Sequence, residues 1–266
     1  RRPRQALLIK HSPWGGEHDH YDRLGLMLWH RDGWLLTDMG TTGYGAKMHY
    51  DYYKNSATHN TLSVNQTNQP PANPQVLGWH MDSDSLWLDS EVDWGKPPPE
   101  LNSHSRVEWD AAAWRGVRFR RRLLWLEEVL IDLSTVENPH RQQLDWTLHL
   151  AARALDQSGT PQPFSLSGPL RHMANATMTP LNGCQPRHFA RDKDTVALWL
   201  SGDGELWQGL APDNPAIRDL SYLVMRNHLP QARFVCLWDF ANRAPLTEVN
   251  VHHTPAGTHI TFWRGD

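Results

Sequence analysis

The sequence predicts an all-β protein built from stacked antiparallel sheets of the β-sandwich kind, and two observations carry that expectation. Apolar residues come in short runs bounded by Gly, Pro, Asn and Asp, and the three-to-four spacing of an amphipathic helix is nowhere sustained over several turns. Fourteen tryptophans in 266 residues supply the large apolar side chains that sheets packed face to face need between them; one to three of them are expected to line a sugar-stacking groove. All-β chains of this length are often a single domain, so one extended sandwich over residues 1–266 is the simplest reading. No helix longer than about three turns is expected.

The expected strands run in order. The first group is 24–29, 34–37, 61–64, 86–92, 117–126, 129–136 and 144–150. The second is 196–200, 205–209, 220–226, 233–240, 246–251 and 259–263. Segments 117–126 and 129–136, separated only by Glu127 and Glu128, predict a hairpin with a tight turn. The arginines from Arg118 to Arg122 are flanked by apolar residues and read as one charged strand face rather than a polyanion patch. Loops are expected at 68–74, 96–105 and 156–182. The last is the longest stretch without periodicity and the best candidate for a linker between sheets. A boundary near 155–180 would divide the chain into two stacked sandwiches, although packed sheets of one domain give the same signal.

Composition excludes several classes of function. A net charge of −3 provides no basic field for nucleic acid. No run approaches the roughly twenty apolar residues that cross a bilayer, so no membrane insertion is expected. Cys184 and Cys236 imply no disulfide framework. No GxSxG, P-loop or dinucleotide fingerprint follows a strand.

The strongest functional signal lies between His18 and Leu62. If His18 and His20 occupy an extended segment, they face one side, since β side chains repeat every second residue. Asp38 ends the strand 34–37 and His59 precedes the strand 61–64, so neighbouring strand ends can present His20, Asp38 and His59 to one point. Two imidazoles and a carboxylate suit Zn²⁺. Against this stands the plain fact that a chain with 16 histidines brings some together by chance. His140 and His149 read as core or surface histidines, and the adjacent His252 and His253 form no site.

Three segments in order, GGEHDHYDRLGL at 15–26, LLTDMGTTGYG at 35–45 and HYDYYKNSATHNTLSVN at 49–65, resemble the opening of the β domain of heparinase II/III-like polysaccharide lyases, a group that includes oligoalginate lyases of similar architecture. The resemblance is dense over Gly15 to Gln69 and thins to pieces such as 117–133 and DWTLH at 145–149. It implies a C-terminal stack of antiparallel sheets whose partner, an N-terminal (α/α) toroid of helices, is not in this chain. The start at Arg-Arg-Pro-Arg without Met agrees with a fragment or isolated domain.

By the same resemblance the protein is expected in the periplasm or secreted, where it cleaves a uronate-containing polysaccharide such as alginate or heparin by β-elimination. His20, Asp38 and His59 match the family's metal ligands, with zinc in a structural or preorganising role. His18 matches the histidine that faces substrate. Tyr44 matches a tyrosine used in proton transfer, with Tyr50 as the second choice. Lys47 and His49, from the same loop, are expected to meet a substrate carboxylate. Asp19 departs from the family pattern, which commonly has Gly there, and its carboxylate is expected to repel an anionic substrate or to point to solvent. The competing readings are a noncatalytic carbohydrate-binding or structural sandwich that retains the metal site, and a metal-dependent hydrolase with His18 or Asp19 as base.

Overall fold

The computed structural model describes residues 5–100, 108–156, 158–165, 167–241 and 244–265. Part of the loop expected at 96–105, from 101 on, and positions 157 and 166 of the stretch 156–182 lie outside these. The first strands are β1 (Gln5–Ile9), β2 (Leu26–His30), β3 (Gly33–Leu36) and β4 (Leu62–Val64). There follow β5 (Gln75–Met81), β6 (Ser85–Asp93), β7 (Arg118–Leu126), β8 (Val129–Glu137) and β9 (Leu144–Leu150). The short β10 (Arg153–Ala154) and β11 (Thr160–Pro161) lead into β12 (Ala174–Arg191) and β13 (Asp194–Pro212). The chain ends with β14 (Asp219–Asn227), β15 (Gln231–Asp239), β16 (Leu246–Thr254) and β17 (Gly257–Arg264).

Fifteen strands share one curled sheet in the order β1, β2, β3, β9, β14, β13, β15, β8, β7, β6, β5, with β4 on β9 and β12 on β13; β16 and β17 form a separate hairpin. Every pairing is antiparallel. The longest helical turn among the described residues, His49–Tyr53, has five residues. The fold is all-β, as the sequence predicts.

The β7–β8 hairpin forms as expected, with Leu126 opposite Val129 and Glu127 at φ +48 taking the tight turn. On β7 burial alternates residue by residue. Phe119, Leu123 and Trp125 enter the main core, while Arg118, Arg120 and Arg122 face outward. The reading of a single charged face therefore holds for these three arginines and fails for Arg121. Period two turns Arg121 into the core, where Asp132 of β8 receives it; both side chains are 0% exposed. Nε lies 3.0 Å and Nη2 2.5 Å from the carboxylate, and Nη1 donates at 2.7 Å to each of the backbone carbonyls of Leu24 and Asn60.

Two expected strands, 196–200 and 205–209, are one strand, β13. Its first half pairs with β15 and its second half with β14. The SGDGE segment between them reads as a turn but is where the strand changes partner. Gly204 sits there at φ +124, and a Cβ on it would lie 2.2 Å from the carbonyl oxygen of Arg226, so only glycine fits. Residues 174–182, expected as loop, are the first half of β12. Its Pro180 and Pro186 are tolerated because β12 is flanked on its outer side only by the two-residue β10 and β11. β1 and β5 were not expected; β5 is exposed along nearly its whole length, with Trp79 67% exposed, so it carries no burial alternation to read.

Replacing Arg121 by Met is expected to lower unfolding free energy by about 3–5 kcal/mol, because Asp132 would be left buried and charged with no partner. Urea denaturation followed by tryptophan fluorescence measures it, and an unchanged midpoint would contradict this account of the core.

Candidate metal and proton-transfer site

Strand β9 brings the distant residues together. Both β3, through Leu36 opposite Leu150, and β4, through Leu62 opposite Trp146, pair with it. Asn60 locks this junction: its side-chain amide donates to the carbonyls of Leu26 (2.8 Å) and Thr37 (2.6 Å) and accepts from the backbone N–H of His149 (2.6 Å). Asp38 follows Thr37 and His59 precedes Asn60, so one buried amide sets both flanks of the site.

The segment from Gly16 to Arg23 is not a strand. Gly16–His18 is a 3-10 turn, which separates the two histidines instead of setting them on one face. His18 stays at the exposed rim, and its Nδ1 lies 2.5 Å from the hydroxyl of Tyr44. His20 turns inward. Its Nδ1 lies 3.2 Å from Nε2 of the fully buried His59. On the other edge of that ring, His59 Nδ1 lies 2.7 Å from the Asp38 carboxylate and 3.9 Å from that of Asp22.

Buried cations hold the turn in place. The Lys54 side chain, 0% exposed, donates to the backbone carbonyl of Glu17 and lies 3.3 Å from its carboxylate. Arg23 donates to the carbonyls of Ser12 (2.7 Å), Pro13 (3.1 Å) and His20 (3.0 Å). Asp19 does not point to solvent. Its side chain is 9% exposed, paired with Lys10 and Arg23, and it accepts the N–H of Gly15 at 3.0 Å. With two cations beside it, its charge is neutralised where it stands. Lys47 is paired with Asp51. His49 is buried, with Nδ1 3.1 Å from the Thr41 hydroxyl and its ring against those of His20, Tyr44 and Tyr50 at 5.7, 4.9 and 4.7 Å.

The electrostatics follow from this arrangement. Burial alone would raise the Asp38 pKa, but the charge and hydrogen bond of His59 and the Gly40 N–H hold it below the usual carboxylate range. Burial disfavours the His59 cation, yet Asp38 and Asp22 outweigh it and raise its pKa. His20 is pushed down to about 3 by burial and by the neighbouring His59, which leaves it neutral with a lone pair to offer.

A metal fits this donor set. Ligand atoms of Asp22, Asp38 and His59 all lie within 4.8 Å of one another. His20, expected as a ligand, faces the other nitrogen of the His59 ring, with its Nδ1 3.2 Å from His59 Nε2, so it stands across the imidazole from the two carboxylates and outside this trio. Lys10 lies 2.6 Å from one oxygen of Asp22, and the other oxygen faces His59. Asp22 was missed in the sequence although the signal was present: the alternation that picked His18 and His20 continues to Asp22.

The chain belongs to the family described as heparinase II/III-like, C-terminal, whose model matches residues 2–234. Among solved structures, a heparinase III aligns at TM-score 0.65 and 11% identity, over 98% of this chain and 39% of that one. A heparan sulfate lyase from Pedobacter heparinus aligns at TM-score 0.56 and 11% identity, over 97% and 39%. At such identity the likeness is one of fold, and the chain spans only 39% of either relative's length. No curated protein matches the sequence.

His59 touches every other member of the cluster, so His59→Ala is expected to abolish uptake of a divalent metal and to lower the melting temperature. Elemental analysis and thermal denaturation of the purified protein check this. Full metal content in the variant would remove His59 from the site.

Proposed function

We propose that this chain is the metal-binding β part of a lyase that cleaves a uronate-containing polysaccharide by β-elimination, in the periplasm or outside the cell, and that it works together with a helical toroid domain. The observation that carries the reading is the His18–Tyr44 pair, joined at 2.5 Å on an exposed edge beside a buried cluster that could hold a metal. Both groups exchange protons, and neither is needed as a ligand.

In such a reaction the proton on C5, next to the uronate carboxylate, leaves to a base; the C4–C5 double bond forms as the bond from C4 to the glycosidic oxygen breaks, and that oxygen receives a proton. The short hydrogen bond lets His18 and Tyr44 act as one relay, one group accepting the C5 proton while the other protonates the leaving oxygen. His49 packs beneath Tyr44 and fixes the phenol's orientation. Tyr44 is preferred over Tyr50 because it is the one hydrogen-bonded to His18.

Asp38 and His59, with Asp22, would hold Zn²⁺, and His20 would support the site through the other nitrogen of His59. When bound, the ion supplies positive charge that fixes the loops carrying His18 and Tyr44. An elimination needs no activated water, so an ion that only orders these loops is sufficient for it.

In the protein joined to its helical domain, His18→Ala and Tyr44→Phe should each lower turnover by about a hundredfold while zinc content stays intact, and Tyr50→Phe should leave turnover near normal. Near-ultraviolet absorbance of the unsaturated uronate product measures it. If neither variant changes product formation, or no unsaturated product forms, a carbohydrate-binding domain becomes the better account. Asp22→Asn should weaken zinc binding by about tenfold or more; unchanged affinity would take Asp22 out of the ligand set.

A further inference from the structure

The outer face of the sheet, opposite the core that Arg121 enters, carries a second constellation. Arg118, Arg120 and Arg122 project there from β7, and Arg233 of β15 lies in the same cross-strand row as Arg120, both opposite Thr135 of β8. The β16–β17 hairpin packs over the neighbouring part of this face through Leu246, Val249 and Phe262 against Ile131, Val235 and Leu237. Its tip, Pro255 to Thr258, forms one wall of an open cleft of about 310 Å³ that the arginines also line, at the small end of the range for ligand sites.

The carboxylates nearby do not satisfy all four guanidinium groups. Arg118 is engaged by Asp93 at 3.4 Å and Glu137 at 3.3 Å, with Glu91 at 3.9 Å. Arg120 makes a two-pronged pair with Asp89, at 2.7 and 2.5 Å. That leaves Arg122 with only the already occupied Asp89, whose oxygen is 3.7 Å from its Nε, too far for a hydrogen bond. The Nε of Arg122 is buried without a hydrogen-bond partner. Arg233 donates to the backbone carbonyl of Thr254 at 3.2 Å, a neutral acceptor. Burial and the charges of Arg120 and Arg233 lower the Arg122 pKa, the direction expected of a cation short of an anion.

We infer that this cleft is a second binding site, in which Arg122 and Arg233 clamp an anionic group of an acidic oligosaccharide, a sulfate ester or a carboxylate. A planar guanidinium fork matches either group with two parallel hydrogen bonds. The site lies on the opposite face of the sheet from Arg121 and shares no residue with the His18–Tyr44 rim, so it would hold a chain without cleaving it. The saccharide as carrier rests on the proposed function; the anion chemistry does not.

The test titrates the whole chain by calorimetry with inorganic sulfate, with a sulfated uronate tetrasaccharide, and with its desulfated form. Saturable binding that weakens with ionic strength is expected. It should fall by about tenfold or more in the Arg122→Ala/Arg233→Ala double variant, less in Arg122→Lys, which keeps the charge but loses the fork, and not at all in Lys193→Ala, which removes an exposed positive charge outside the cleft. Melting temperatures confirm that the variants fold. Binding of the sulfated form alone identifies a sulfate site, and equal binding of both forms a carboxylate site. The inference is overturned if the double variant binds as tightly as wild type, if wild type binds none of the three probes, or if Lys193→Ala weakens binding as much as the double variant does. Failure of the lyase reading would show separately, as absent unsaturated product with the sulfate titration intact.

Discussion

The geometry of the site depends on what meets at Asn60. Its backbone carbonyl accepts from the buried Arg121 guanidinium, and its side chain binds the backbones of β2, of the residue after β3, and of β9. Three strands and a loop are thus indexed to one residue. The Arg121–Asp132 pair that fixes the carbonyl side is expensive to bury, since desolvating two charges offsets most of their attraction. A pair of apolar side chains could fill that volume, but they could not hold the carbonyls of Leu24 and Asn60 at 2.7 Å. The pair contributes position rather than net stability, and it positions the peptides that flank Asp22 to Leu26 and His59.

Much of the fold was legible because burial leaves a period in the sequence. β9 was bounded to the residue, and β7 and β8 to within one, because apolar residues and turn signals coincide there. Legibility failed where a strand lacks a buried face, as in β5, or where an edge strand tolerates proline, as in β12. It failed in the opposite sense at Gly202 to Gly204. There a strand changes partner through residues whose local signature is that of a turn, and only the close approach of the Arg226 carbonyl shows why glycine is required. Arg121 was assigned to the wrong face because a buried arginine is rare and its partner lies on the next strand.

The candidate site was half legible for a similar reason. His20, Asp38 and His59 could be gathered from strand ends, and the structure does bring His59 against both of the others. His49 was read as facing a substrate carboxylate because its place depends on a turn: that at His49–Tyr53 buries it against Tyr44, as the 3-10 turn at Gly16–His18 rotates the chain toward His59. The role of Asp19 was misjudged because Lys10, nine residues earlier, cannot be seen as its partner without β1 and β2 being paired.

His149 shows how the cluster keeps its charge balance. It is wholly buried, both ring nitrogens lack hydrogen-bond partners, and its pKa is pushed down to about 3 by burial and then by His59. An unsatisfied imidazole in the core is costly. Its ring stacks on Tyr222 with centroids 4.2 Å apart, which recovers contact but no hydrogen bond. Kept neutral, His149 adds no second positive charge beside His59, so the two carboxylates of Asp22 and Asp38 remain available to one cation at a time, the protonated imidazole or a metal. An ion held by Asp22 and Asp38 would take the place of that proton while the sheet that carries them stays as it is.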